Sequence, residues 1–206
     1  MGNKKRGTFS QIKRRAITGG ALYPMLVRFS TLEAQPLLQE IKNKQQGDIL
    51  RKALVNYLII RSVTIFEIFL INEAYRLAKH HRRKTKELFT DVKTNVPLAD
   101  QLISTYSFTK LEDIDFVFST LISKNYLSAI KADSVEYEPD YYLESAHIKR
   151  TKPLHKNWDN VCKIFELRHD IVHHNKLIDL KYSQLRNLLG GIIQFLMSSI
   201  IVTNED

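Results

Sequence analysis

The sequence predicts an all-α protein, an up-and-down helical bundle with four principal helices and short extra helices. Apolar residues recur at helical spacing in several long segments, and strand-like alternation is nowhere sustained. With 206 residues, of which 44% are apolar, the chain is long enough for one compact domain with a sizeable core. We therefore expect a single helical domain over residues 31–206, preceded by a basic and flexible arm over residues 1–30.

The first helical segment is expected to be interrupted by a proline. Ser30 with Glu33 three residues later has the form of a capping box at a helix start. Pro36 lies too deep for a helix that begins there, because its ring would clash with the preceding turn. We expect at most one turn after Ser30 and a short helix from Pro36 to about Lys44.

The longest helix is predicted from Asp48 to His80, because this segment contains neither glycine nor proline. Its middle is apolar on nearly every face, as in the central helix of a bundle. The two most apolar runs of the chain, Ala53–Leu70 and Leu188–Val202, are too charged or too short for a membrane span of about 20 residues. Both are expected to be buried core helices, with no membrane contact.

The remaining elements follow from apolar spacing and from breaks in it. Pro97 opens a short helix to Thr105, and a longer one is predicted from Leu111 to Ile130. Residues 133–153 are expected to be a loop. A further helix runs from Asn157 to Asn175, and the last from Leu180 to Val202.

Charge and cysteine content restrict the function classes. The net charge of +9 is concentrated in residues 1–32, which hold seven basic side chains and no acidic one. Such an arm attracts polyanions, and we expect it to bind RNA. Cys162 is the only cysteine, so an intrachain disulfide is excluded, and the predicted location is the cytoplasm. The predicted RNA-binding residues of the arm are Lys4, Lys5, Arg6, Lys13, Arg14 and Arg15.

The candidate active site lies at the end of the predicted helix 157–175, in the sequence Arg168-His169-Asp170-Ile171-Val172-His173. An arginine can hold a phosphate, and a histidine can move a proton near neutral pH. On an ideal helix Arg168 and His173 lie about 140° apart and about 7.5 Å apart along the axis. They flank a stripe that is expected to face the core: Trp158, Val161, Cys162, Phe165 and Val172.

Two other interpretations of these residues remain open. His173, His174 and Lys176 are favourable positive charges at a helix C-terminus, with Asn175 as its cap. In that case Arg168 is a solvated side chain or pairs with Glu67, and His169 is a core histidine. Alternatively, His169 and His173 are spaced by four residues as metal ligands on one helix face, but no third ligand is identifiable.

The segment Arg168–His173 resembles the signature of the HEPN superfamily, in which an arginine is followed after four to six residues by a histidine. The layout of residues 48–202 is also similar to that family, with a long apolar helix carrying a lone acid, the motif helix and a final apolar helix. The resemblance implies a metal-independent endoribonuclease that needs no cofactor. Arg168 and His173 would be catalytic, and His169, Asp170 and Glu67 would support them.

The resemblance also implies a homodimer whose two motifs line one cleft, and a toxin or antiphage-defence effector with an antitoxin or defence partner. Family members that are silenced by adenylylation carry a tyrosine two residues after the motif histidine. Asn175 stands there instead, so that control is not expected. The alternative function is a non-catalytic helical module that binds a nucleotide, RNA or a protein. For Glu67, a structural role paired with Arg61 or with a basic residue of another helix is favoured slightly over a pairing with Arg168 that would orient the site.

Overall fold

The computed structural model describes residues 28–90, 95–133 and 154–204. This part of the chain is an all-α bundle without strands, as predicted. It contains eight α-helices, a π-helical segment at Phe29–Ala34 and a 3-10 turn at Leu154–Asn157. The α-helices are α1 (Gln35–Asn43), α2 (Ile49–His80), α3 (Arg82–Glu87), α4 (Leu98–Thr105), α5 (Leu111–Ile122), α6 (Tyr126–Ala132), α7 (Trp158–His174) and α8 (Tyr182–Thr203). The predicted arm residues lie outside the described residues, except its last three, of which Phe29 and Ser30 are buried.

Helix α2 is the centre of the bundle and contacts α1, α4, α5, α7 and α8. It starts as predicted, because the Asp48 side chain accepts a hydrogen bond from the Arg51 backbone N–H at 3.0 Å. Helices α2 and α8 are each long and apolar enough to cross a membrane, by length and composition alone. Within their most apolar windows, however, 56% of α2 and 83% of α8 is buried inside the protein. Their apolar surfaces therefore form the core, as expected.

The predicted capping box at Ser30 is wrong. The chain is helical through this point, and the Gln35 N–H donates to the carbonyl five residues back, on Ser30. The wider π turn keeps the Pro36 ring away from the preceding turn, so the helix continues without the predicted break. Glu33 does not cap the helix but accepts two hydrogen bonds from Arg61, at 2.7 and 3.0 Å, which lower the pKa of Glu33.

The predicted helix Leu111–Ile130 is also wrong as a single element. Ser123 adopts the left-handed conformation with φ 51° and ends α5, and Asn125 caps α6 by accepting from the Ser128 N–H. The break directs Tyr126 into the core, where its ring stacks on Phe118 at 4.5 Å. Tertiary packing of this aromatic ring therefore outweighs the continuous helical spacing of the sequence.

Candidate active site

Helix α7 carries the motif and packs against both α2 and α8. It runs antiparallel to α2, since Arg168 lies beside Glu67 and the later Lys176 beside the earlier Asn56. Two contacts fix this arrangement: the Phe66 and Phe165 rings meet edge to face at 5.1 Å, and Gly191 of α8 approaches Asn160. An ideal Cβ on Gly191 would lie 3.3 Å from the Asn160 Cβ, so the absence of a side chain lets the two helices pack closely.

The buried face of α7 differs from the predicted stripe. Its buried residues are Val161, Ile164, Leu167 and Ile171. Val172, which was expected in the core, is 49% exposed, and His169 is exposed rather than a core histidine. The buried arc is turned because α7 lies in the groove between two helices, so the position of its neighbours decides which residues are covered.

Arg168 is half-buried and faces Glu67 of α2. Its terminal nitrogen is 3.8 Å from a Glu67 oxygen, which is within ion-pair range but too long for a hydrogen bond. Its Nε is buried without a hydrogen-bond partner. The Arg61–Glu33 pair, by contrast, is held by two short hydrogen bonds. The terminal nitrogens of the Arg168 guanidinium, unlike the buried Nε, therefore remain able to donate to another acceptor.

Glu67 is partly buried, and its nearest charged partner is the motif arginine. Arg61, one of the structural partners predicted for Glu67, is not its partner, because Arg61 bonds to Glu33 instead. Burial raises the pKa of the Glu67 carboxyl, and the positive charge of Arg168 acts in the opposite direction. The carboxylate is therefore destabilised by partial desolvation and only partly compensated by Arg168.

His169, His173 and His174 form an exposed imidazole cluster on the last turns of α7. The ring centroids of His169 and His173 are 4.6 Å apart, and those of His169 and His174 are 5.4 Å apart. Asp170 lies beside this cluster, 2.8 Å from Lys176 Nζ and 3.4 Å from the His174 ring. The hydrogen bond from Lys176, followed by that from His174, lowers the pKa of Asp170.

Asn175 ends α7 as predicted for a cap. It adopts the left-handed conformation with φ 50°, and its N–H donates to the Asp170 carbonyl. The basic side chains expected at this C-terminus are present, and Asp170 lies within 4 Å of two of them, His174 and Lys176. The helix C-terminus interpretation therefore accounts for His173, His174 and Lys176, and it assigns no role to Arg168.

The non-helical segment between α7 and α8 is attached to α2 by two polar side chains that the sequence analysis did not select. Asn56 donates to the Lys176 carbonyl at 2.8 Å and accepts from the Ile178 N–H at 3.0 Å. The buried guanidinium of Arg51 bonds to Asp179 and to the Leu180 carbonyl. A polar residue inside an otherwise apolar helix was the available signal for this contact.

Arg168 and His173 do not meet within one chain. No hydrogen bond joins these two described side chains, and they point from different faces of α7, toward Glu67 and toward His169 respectively. Of the predicted site residues, the structure brings together Arg168 with Glu67 and His169 with His173. The predicted RNA-binding residues of the arm, Lys4, Lys5, Arg6, Lys13, Arg14 and Arg15, lie outside the described residues.

In the described part of the chain, neither a group of metal ligands nor a cleft is found at the motif. No group of three or more histidine, cysteine, aspartate or glutamate side chains suited to a metal ion occurs in residues 28–90, 95–133 and 154–204. Two open clefts of about 470 and 710 Å³ lie on either side of Phe116, and neither is lined by Arg168 or His173.

Comparisons with protein-family models, with curated proteins and with solved structures give no match for this chain. The HEPN resemblance therefore rests on the residues of the motif and their placement alone.

Proposed function

We propose that this protein is a metal-independent endoribonuclease of the HEPN type, with Arg168 and His173 as its catalytic residues. The observation that carries the proposal is the state of Arg168. This guanidinium is half-buried beside a carboxylate but makes no hydrogen bond to it. A purely structural arginine would be expected to pair as closely as Arg61 does with Glu33.

The proposed reaction uses only groups of the protein and the RNA. An imidazole of His173 takes the proton from a ribose 2′-OH, and the 2′-oxygen attacks the neighbouring phosphorus. The bond to the 5′-oxygen breaks, and a protonated His173 imidazole supplies the proton to that leaving oxygen. Arg168 binds the phosphate and stabilises the charge that builds on its oxygens. The products are a 2′,3′-cyclic phosphate and a 5′-hydroxyl.

Glu67, His169 and Asp170 are proposed as positioning residues. Glu67 holds the Arg168 guanidinium through charge at 3.8 Å without occupying its donors. His169 contacts the His173 ring and thereby restricts its orientation. Asp170 binds Lys176 and His174, so its effect on the site is through the end of α7.

We propose that the active form is a homodimer. Arg168 and His173 project about 140° apart around α7, which makes a site within one chain hard to close. A twofold axis beside α7 would bring two arginines and two histidines to one cleft, and twofold dimers are the commonest oligomers.

The dimer is tested by its mass and by mixed variants. Sedimentation at micromolar concentration should give twice the chain mass. Mixed Arg168→Ala and His173→Ala chains should recover part of the activity. A monomer with full activity would contradict this arrangement.

The proposed biological setting follows from the family resemblance. We propose a cytoplasmic toxin or antiphage-defence effector that is controlled by an antitoxin or another defence protein. The alternative function is a non-catalytic module that binds RNA, a nucleotide or a protein. It is favoured by one observation, that Arg168 and His173 make no contact with each other in a single chain.

The proposal is tested with purified protein and RNA in EDTA. We expect cleavage that yields 2′,3′-cyclic phosphate ends, and we expect Arg168→Ala to lower the rate by about 10² or more. Lys163→Ala is the control, since Lys163 is an exposed cation on the same helix whose partner is Glu166. RNA binding without cleavage would support the non-catalytic alternative. Strict dependence on added Zn²⁺ would contradict the metal-independent mechanism.

A further inference from the structure

A dense group of cations lies where α2 turns into α3. The segment Lys79–Lys86, which we call the basic turn, has five lysine or arginine residues among eight and no acidic one. Four of the five, Lys79, Arg82, Arg83 and Lys86, are exposed, and Lys84 is partly exposed. The next acidic residue, Glu87, stands at the C-terminal end of α3.

The backbone of the basic turn is fixed to the core. Helix α2 ends at His80, the chain bends at His81, and α3 begins at Arg82. The buried hydroxyl of Thr85 lies 2.9 Å from the His81 carbonyl and 3.2 Å from the Ala78 carbonyl. These bonds hold the bend, so the cations extend from a supported position.

Among the described residues, no acidic side chain neutralises the cations of the basic turn. In the described part of the chain, none of its five lysine and arginine side chains pairs with a carboxylate. Lys79 lies over the Tyr75 ring, 4.3 Å from its centre. Elsewhere on α2, Arg51 and Arg61 each pair with an acid. Like charges held this closely repel one another. The binding of a polyanion relieves this repulsion and is therefore favoured.

The position of the basic turn relates it to the candidate active site. Lys79 and Glu67 are on the same helix, about 18 Å apart along its axis at 1.5 Å per residue. Glu67 is in turn 3.8 Å from Arg168. This separation equals about five nucleotides of a helical strand at ~3.4 Å per nucleotide.

We propose that the basic turn binds the phosphate backbone of the RNA that is cleaved at Arg168. The inference rests on the proposed ribonuclease function for its substrate. The recognition is of phosphates and therefore independent of base sequence. It also places the RNA between the basic turn and Arg168, along the side of the bundle that carries α2 and α7.

The test compares two variants that each remove three positive charges. The turn variant carries Arg82→Gln, Arg83→Gln and Lys86→Gln. The control variant carries the same change of charge on exposed lysines of other elements, Lys42→Gln, Lys110→Gln and Lys163→Gln. The ligand is a 2′-O-methyl RNA oligomer, which lacks the attacking hydroxyl, and binding is measured in EDTA over a salt series.

We expect the turn variant to bind at least about tenfold more weakly at 0.1 M salt. The slope of log K against log salt should fall by about 2, since each lost phosphate contact removes about 0.7 in a single strand. The control variant should change less than about threefold. Equal losses of affinity in the two variants would overturn the inference, because the effect would then come from net charge alone. No loss of affinity in either variant would overturn it as well.

Binding and cleavage fail separately in this design. If the full protein binds the oligomer through the basic turn but does not cut natural RNA, the inference is supported and the ribonuclease proposal fails. If natural RNA is cut and the turn variant binds as well as the control, the inference fails alone.

Vesicles of phosphatidylserine and phosphatidylcholine test whether the basic turn binds an anionic membrane surface instead. Loss of vesicle binding in the turn variant with unchanged RNA binding would overturn the inference in favour of a membrane surface.

Discussion

The contact between Asn56 and the segment after α7 gives a quantitative test of how the end of the motif helix is held. The Asn56 amide donates to the Lys176 carbonyl at 2.8 Å and accepts from the Ile178 N–H at 3.0 Å. Asn56→Ala removes both bonds and leaves these backbone groups without that partner. We expect the variant to be less stable and the end of α7 to be less well fixed.

The magnitude follows from the burial of the two backbone groups. The Ile178 bond is buried, so its unpaired N–H should cost about 1–3 kcal/mol. The Lys176 carbonyl belongs to an exposed residue and can be rehydrated, so its loss should be nearer to 0.5–1 kcal/mol. Replacing asparagine by alanine within a helix returns roughly 0.5 kcal/mol through helix propensity. The net destabilisation should be about 1–3 kcal/mol.

Asn72→Ala on the same helix is the matched control. Asn72 is exposed and its amide donates only to the Ile68 carbonyl four residues back, at 2.7 Å. Both variants gain the same helix propensity, so the difference between them isolates the buried contact. The assay is urea unfolding followed by circular dichroism. Asn56→Ala as stable as Asn72→Ala would refute the view that this contact holds the segment.

Three further predictions concern the close packing of α7 with α8 and the Glu67 carboxylate. Gly190→Ala should raise the free energy of unfolding by about 0.5–1 kcal/mol, because nothing lies within 4 Å of its added Cβ. Gly191→Ala should be at least about 1 kcal/mol less stable than Gly190→Ala in urea unfolding, because its Cβ would press on Asn160. Equal stability of the two variants would contradict the close contact between α7 and α8. The pKa of Glu67 is raised in the folded protein, so its contribution to stability is largest below its ordinary pKa of 4.5 and declines as pH rises through the folded value. Glu67→Gln should therefore become more stable relative to wild type as pH increases from 4 to 7, and an unchanged difference in unfolding free energy would refute this. If Glu67 positions Arg168, the same variant should also lose RNA cleavage without any fall in its melting temperature.

Local signals in the sequence were sufficient for most of the helices. Asp48 before a long apolar run predicted the start of α2, and Asn175 after the motif predicted the end of α7. Both are capping interactions between residues close in the chain, so they are visible without the fold. The all-α class followed for the same reason, since helical spacing is a local property.

The failures of the sequence analysis involve contacts between distant residues. The choice of Arg168 rather than Arg61 as the neighbour of Glu67 depends on Glu33, which lies on another helix and binds Arg61. The buried face of α7 likewise depends on where α2 and α8 lie, so Val172 was assigned to the core but is exposed.

The most direct test of the central claim is the cleavage rate of His173→Ala against His174→Ala, measured on RNA in EDTA. Both histidines are exposed on the last turn of α7, so each variant removes one exposed imidazole from the same turn. His174→Ala is the control, because His174 lies beside Asp170 and has no role in the proposed reaction. We predict that His173→Ala loses about 10²-fold or more of the rate, the usual contribution of a general base, while His174→Ala stays within a few-fold of wild type. Equal rates for His173→Ala and the wild-type protein would contradict the assignment of His173 as the catalytic histidine.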